Sequence, residues 1–123
     1  NAFCFIIEFN DQPIGECWLQ RMNIERLLEK YPGKDCRRID LMIGEKRLWG
    51  RGLGTDTIRT LTRFGLEEEG ADMIFGLVGD YNLRSVGAFK RAGYEVDAEE
   101  EEPPGEKATF SYDLVIRRKS RPS

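Results

Sequence analysis

The stretch Trp49-Gly50-Arg51-Gly52-Leu53-Gly54-Thr55 constrains this chain more than any other. Three glycines within five residues let the backbone turn tightly and approach another group closely, because none carries a Cβ. The run before it, Ile39-Asp40-Leu41-Met42-Ile43, reads as a buried strand, and the run after it, Asp56 to Glu69, reads as a helix. In such a unit the loop amides can point into one hollow while the helix adds its positive N-terminal end. That arrangement binds anions, phosphate above all. Arg51 adds a charge beside the hollow. A glycine-rich connection that holds no ligand is the alternative the same residues allow.

Spacing excludes two other phosphate loops. Gly50-x-Gly52 is followed by Thr55 where a third glycine would be needed, so G-x-G-x-x-G fails, and no G-x-x-x-x-G-K-[ST] occurs.

At 123 residues the chain is expected to be a single domain, residues 1–123, ending in a basic tail over 117–123. A net charge of −3 argues against a general nucleic-acid binder and is compatible with a cationic partner. There is no histidine, so histidine zinc sites and Ser-His or Cys-His nucleophile pairs cannot form, and no metal is expected. Cys4, Cys17 and Cys36 are odd in number and far apart, without a C-x-x-C. A disulfide framework is therefore not expected, and a reducing cytoplasmic setting is. Each cysteine sits in a strand-like run, which suggests core packing. No apolar segment approaches transmembrane length, so no membrane partner is expected. The chain starts at Asn1 without methionine, directly in strand-like sequence, which suggests a missing upstream segment.

Along the chain, Ala2 to Phe9 and Ile14 to Gln20 read as a strand hairpin about a turn at Asn10-Asp11-Gln12-Pro13. Asn23 is an N-cap candidate for a short helix through Lys30, with Leu27 and Leu28 inward. A strand follows over Cys36 to Ile43. In the helix after the glycine loop, Ile58, Leu61 and Phe64 form an inward face, and Gly70 marks its end. Met73 to Val78 suits a central strand. Asn82 to Ala92 reads as a helix stopped by Gly93, with Val86 and Phe89 inward. Tyr94 to Val96 opens another strand, Asp97 to Gly105 runs into a loop, and Ala108 to Ile116 forms a final strand. The order β-β-α-β-α-β-α-β-β implies an α+β fold: a mixed, mostly antiparallel sheet with helices on its faces.

Two stretches together resemble a known family. Gly52 and Gly54 match the acetyl-CoA pyrophosphate loop of the GNAT N-acetyltransferases, although Trp49 stands where that pattern has Gln or Arg. Thirty residues after Gly52, Asn82-Leu83-Arg84-Ser85 and then Phe89-Lys90-Arg91-Ala92-Gly93-Tyr94 resemble the family's second signature. The resemblance covers Ala2 to about Ile116. Pro13-Ile14-Gly15 and Arg38-Ile39-Asp40 are similar to the aminoglycoside acetyltransferase branch, with the branches that acetylate protein N-termini and polyamines close by. The chain departs from the family in two ways. Phe89 stands where the family often has a tyrosine that protonates the leaving thiolate, and the sequence opens at Ala2–Phe9, a strand that in the family normally follows another strand and two helices.

The resemblance implies transfer of an acetyl group from acetyl-CoA to a primary amine of a small cationic, aminoglycoside-like acceptor. An amine attacks a thioester directly, so no protein nucleophile is required, which suits a chain without histidine. The loop from Trp49 and Gly50 through Arg51, Gly52, Leu53, Gly54 and Thr55 would hold the pyrophosphate. The edge of Leu41-Met42-Ile43 would pair with the pantetheine arm and offer an N–H to the thioester oxygen. Asn82, Ser85 and Phe89 would contact the same arm. Asp40, an acid inside an apolar run, is the candidate base, since burial strengthens a carboxylate as a base. Pairing with Arg37 or Arg38 is the alternative. Glu16, Trp18 and Asp80 are candidates for the acceptor side, and the Glu99–Glu102 run would attract a polycation or simply be solvated. Two other readings stay open: a protein or peptide N-terminal acetyltransferase, and a non-catalytic acetyl-CoA-binding domain. An open sheet edge at Ala2–Phe9 would invite pairing with a second copy.

Overall fold

The computed structural model describes residues 2–44, 48, 51–105 and 109–119. Trp49 and Gly50, the first two residues of the expected phosphate loop, lie outside the described residues.

The chain opens with a hairpin of β1 (Ala2–Phe9) and β2 (Gln12–Arg21). Its turn is shorter than expected: Asn10 and Asp11 alone make it, at φ of 52° and 61°. Two consecutive left-handed residues match the twist of a two-residue hairpin, and Asn and Asp tolerate that region. Pro13 falls within β2, opposite the register shift at Ile7/Glu8. A bulge is one of the few places where a strand accepts proline.

A short helix, α1 (Glu25–Lys30), follows. Asn23 does not cap it; Ile24 holds the cap position, and the Asn23 Oδ1 accepts a hydrogen bond from Arg38 Nη1 at 3.1 Å instead. Six residues give only one inward stripe, so Leu27 is buried and Leu28 is exposed. Then come β3 (Cys36–Ile43), α2 (Leu53–Arg63), β4 (Met73–Gly79), α3 (Leu83–Arg91), β5 (Glu95–Glu101) and β6 (Phe110–Arg117). Helix α2 begins three residues before the expected Asp56, on Gly52 at φ 79°. It runs into one wide π-turn over Phe64–Glu68, and Gly70 at φ 71° closes it. Most of the acidic run, Glu99 to Glu101, is strand rather than loop and pairs with β6 from Phe110 to Tyr112.

One sheet of six strands runs β1-β2-β3-β4-β6-β5. Among the described residues, only the β3–β4 pair is parallel. Alternation along each strand sends side chains to two separate cores. On one face, Leu19, Ile39, Ile74 and Leu114 pack against Ile58 and Leu61 of α2 and Val86 and Phe89 of α3. On the other, Cys36, Met73, Phe75 and Val115 meet Leu27 of α1. Cys17 and Cys36 are buried, as expected, but Cys4 is exposed, because it lies on the edge strand and on the face away from α2. Among the described residues, no helix is long and apolar enough to cross a membrane.

The start of β3 is anchored by a buried cation. Arg37 donates from Nε and Nη2 to the Asp35 carboxylate at 2.7 and 3.1 Å, and from Nη1 to Glu69 at 3.2 Å. This ties the strand to the end of the α2 helical segment, so β3 reaches the site from a fixed base.

Candidate active site

The parallel ladder between β3 and β4 is short. It runs from Cys36–Met73 through Arg37–Ile74 to Arg38–Phe75 and then stops. Beyond it β3 stays paired with β2, as far as Ile43 with Gly15, and β4 stays paired with β6 to Gly79. The two central strands therefore fork. Gly44 donates its N–H to Ile14 of β2. By alternation the N–H and C=O of Leu41 then face the fork, a free strand edge of the kind that an extended ligand can pair with.

A cavity of about 260 Å³ opens beside the β3 side of this fork, between β3, α2 and α3. β3 supplies Leu41, Met42 and Ile43, and Leu48 closes one side. The first turn of α2 supplies Gly52, Leu53, Gly54 and Thr55, with Ile58 one turn on. From α3 and its cap come Asn82, Arg84, Ser85, Ala88 and Arg91. Gly52 caps α2 at φ 79° and, having no side chain, leaves the first helical amides without a side-chain cap of its own. Those amides and the positive end of the helix thus stand at the cavity wall. Among the described residues the lining carries two arginines and no carboxylate, which suits an anion.

Gly54 keeps the cavity open. A β-carbon there would stand 3.9 Å from both Leu41 Cδ1 and Ala88 Cβ, so anything larger would grow into the space between β3 and α3. Asn82 caps α3, its Oδ1 accepting from the Ser85 N–H at 3.2 Å. That bond fixes the side-chain amide at the mouth.

Asp40 lies on β3 opposite Trp18 of β2. Its side chain faces away from α2 and α3, on the same side as Arg38 and Met42. It is not in apolar surroundings, as the apolar run around it suggests. Arg38 donates from Nε and Nη2 to its two oxygens at 3.0 Å each, and Gln20 Nε2 donates at 2.9 Å. One third of the side chain remains exposed. The reason is register: Arg38 sits two residues before Asp40 and so shares its face, while Arg37 points to the other. Glu16 and Trp18 share that face of β2, beside Asp40 and Met42, with Met42 61% and Ile6 55% exposed. The structure thus brings Asp40, Trp18 and Glu16 together on an open strand face.

Asp80 is not part of that group. Its N–H donates to Phe110 at 2.8 Å and its Oδ1 accepts from the Thr109 N–H at 3.2 Å, which ties the end of β4 to the start of β6. Phe89 is also displaced from its expected place on the ligand arm. It is buried against Gly76 of β4, where no side chain stands in the way, and packs edge-on to Tyr94 with centroids 5.0 Å apart. The Tyr94 hydroxyl does not replace the missing one, because it bonds Thr62 of α2 at 2.7 Å. Burial pushes that phenol well above its usual value, against the opposing effect of the Thr62 bond.

Leu48, Ile58, Arg84, Ala88 and Arg91 line the cavity without having been expected there. The last three were legible in principle: with Ser85 they recur at helical spacing on one face of α3.

The model of the acetyltransferase (GNAT) domain family matches residues 1–95. Among solved structures, the aminoglycoside acetyltransferase AAC(6')-Ib in complex with coenzyme A and kanamycin superposes with a TM-score of 0.72 at 20% identity, over 95% of this chain and 67% of that one. A GNAT-family acetyltransferase from Bacillus anthracis gives 0.73 at 14%, over 94% and 65%. A spermidine N-acetyltransferase chimera from Vibrio cholerae and hSSAT gives 0.72 at 14%, over 94% and 66%. At these identities the likeness is one of fold. The chain spans about two thirds of the length of these structures.

Proposed function

We propose that this chain, which belongs to the GNAT acetyltransferase family, moves an acetyl group from acetyl-CoA to a primary amine of a small cationic, aminoglycoside-like acceptor. The observation that carries this reading is the fork. Below the Arg38–Phe75 pair, β3 and β4 part beside a cavity that ends at the N-terminus of α2. That path offers a strand edge for an extended arm and a cluster of amides for its charged end.

The residues present fit acetyl-CoA. The amides from Arg51 to Thr55 hold the pyrophosphate. The edge at Leu41, Met42 and Ile43 pairs with the pantetheine amides, and an N–H there polarises the thioester carbonyl. Asn82 offers its amide to the same arm, and Ser85 places a hydroxyl beside it. Acetyl-CoA supplies the activated acyl group. Asp40 takes the proton that the acceptor's ammonium must lose, held in one orientation by Arg38 and Gln20. As the amine nitrogen bonds the acyl carbon, the carbon–sulfur bond breaks, and solvent at the open mouth protonates the thiolate. Glu16 and Trp18 form the acceptor's landing face, one as a counter-charge and one as a flat apolar contact.

A peptide amine is the second reading. It is favoured by the openness of the strand face around Asp40, where Met42 and Ile6 are both more than half exposed. Release of CoA from acetyl-CoA, measured against aminoglycosides, polyamines and short N-terminal peptides, separates the two. Turnover with an aminoglycoside alone supports the first reading, and turnover with peptides alone replaces it. We also propose that the β1 edge, where Phe5 and Ile6 are exposed, pairs with a second copy.

A further inference from the structure

Arg91, the last residue of α3, is held in one place from three directions. Its backbone carbonyl accepts from Arg59 Nη2 of α2 at 3.0 Å. Its Nε donates to the Thr55 hydroxyl, in the first turn of α2, at 3.3 Å. Its guanidinium lies back over Gly87, one turn earlier, in the direction that helical side chains take. A β-carbon on Gly87 would come within 3.0 Å of Arg91 Nη1, so the glycine makes the room that the guanidinium uses. With Nε engaged, the two terminal nitrogens have no hydrogen-bond partner among the described residues. The side chain lines the cavity beside the N-terminus of α2, on the same α3 face as Arg84, Ser85 and Ala88.

A planar fork fixed in advance binds a phosphate with little further loss of freedom. We propose that Arg91 is a binding residue for a phosphate at the nucleotide end of the donor, positioned by Thr55 and Gly87. This rests on the acetyl-CoA reading above. Both the pyrophosphate and the 3′-phosphate of the adenosine have the required chemistry.

The test is calorimetric binding of CoA, dephospho-CoA and pantetheine to the wild type and to Arg91→Met, Arg91→Lys and Gly87→Ala. Arg91→Met should weaken CoA by about 10- to 100-fold, the loss expected for a hydrogen bond between charged groups. It should leave pantetheine unchanged, which also shows that the variant is folded. Arg91→Lys should recover part of the loss, because it keeps the charge and not the fork. Gly87→Ala favours the helix yet should weaken CoA several-fold by displacing the guanidinium. An equal loss for CoA and dephospho-CoA assigns the contact to the pyrophosphate, and a loss confined to CoA assigns it to the 3′-phosphate. Unchanged CoA affinity in Arg91→Met, or an equal loss for pantetheine, overturns the proposal. Failure of the wild type to bind CoA at all would remove the acetyl-CoA reading and this one with it.

Discussion

Arg38 holds Asp40 from two residues earlier on the same strand, Nε and Nη2 each donating to a separate carboxylate oxygen at 3.0 Å. Arg38 in turn is held by Asn23 at 3.1 Å, and Gln20 completes the grip on Asp40 from the neighbouring strand. The result is a carboxylate with one orientation on an open face, next to the fork between β3 and β4. If Asp40 takes the acceptor's proton, Asp40→Asn should lower turnover by about a hundred-fold or more, the usual size of a general-base effect. Donor affinity should stay near that of the wild type, because Asp40 lies on the sheet face away from α2 and α3. Steady-state rates alongside calorimetry decide it, and unchanged turnover would remove Asp40 from the mechanism.

Gly52 carries the left-handed turn that aims the first amides of α2. A β-carbon there would meet nothing within 4 Å, so a substitution acts through backbone conformation alone. Gly52→Val should cost about 1–2 kcal/mol in stability. It should also weaken acetyl-CoA binding by more than its melting temperature suggests, because the amides turn away. Equal binding by the folded variant would count against the loop as the anion site.

Gly76 and Phe89 share one volume. A β-carbon at Gly76 would fall 2.4 Å from Phe89 Cζ, inside the ring's contact distance. Gly76→Ala should therefore destabilise the protein by about 1–3 kcal/mol, as overpacking does. Adding Phe89→Leu should return part of that loss, a coupling that a double-mutant cycle in urea would measure. Strict additivity would show that the ring moves aside.

The Arg37 cluster makes stability depend on acid. The hydrogen bond from Arg37 holds the Asp35 carboxyl below its usual range, partly offset by burial. A folded value below the unfolded one contributes stability above about pH 4, and that contribution is lost as the pH falls through the lower folded value. The urea midpoint should thus drop on acidification from about pH 5 to 3, and by less in Asp35→Asn. At neutral pH, Arg37→Met should cost about 1–3 kcal/mol, since it leaves two partly buried carboxylates without a partner.

Most of the fold was legible because the apolar runs are short and well punctuated. Gly70, Asn82 and Gly93 bracket their helices in the structure much as they do in the sequence. Gly52 to Thr55 and Asn82 also line one cavity, the two stretches that the family resemblance pairs. What the sequence hides is mostly a matter of register and of facing. The apolar run from Ile39 to Ile43 suggests a buried Asp40, and it is the alternative reading, pairing with Arg38 two residues earlier on the same face, that the structure has. Phe89 reads both as an inward helix residue and as a ligand contact, and Gly76, thirteen residues earlier, gives its ring a place in the core. Arg91 reads as an ordinary helix-terminal cation, and only the Thr55 bond and the gap over Gly87 show where its charge goes.

The account stands most directly on whether the cavity at the fork holds acetyl-CoA. The measurement is a calorimetric titration of acetyl-CoA into the wild type and into Gly54→Phe, whose side chain would fill the space between Leu41 and Ala88. Saturable binding to the wild type, lost in the folded variant, is the predicted result. No binding to the wild type, or equal binding to both, would contradict the placement of the donor between β3, α2 and α3.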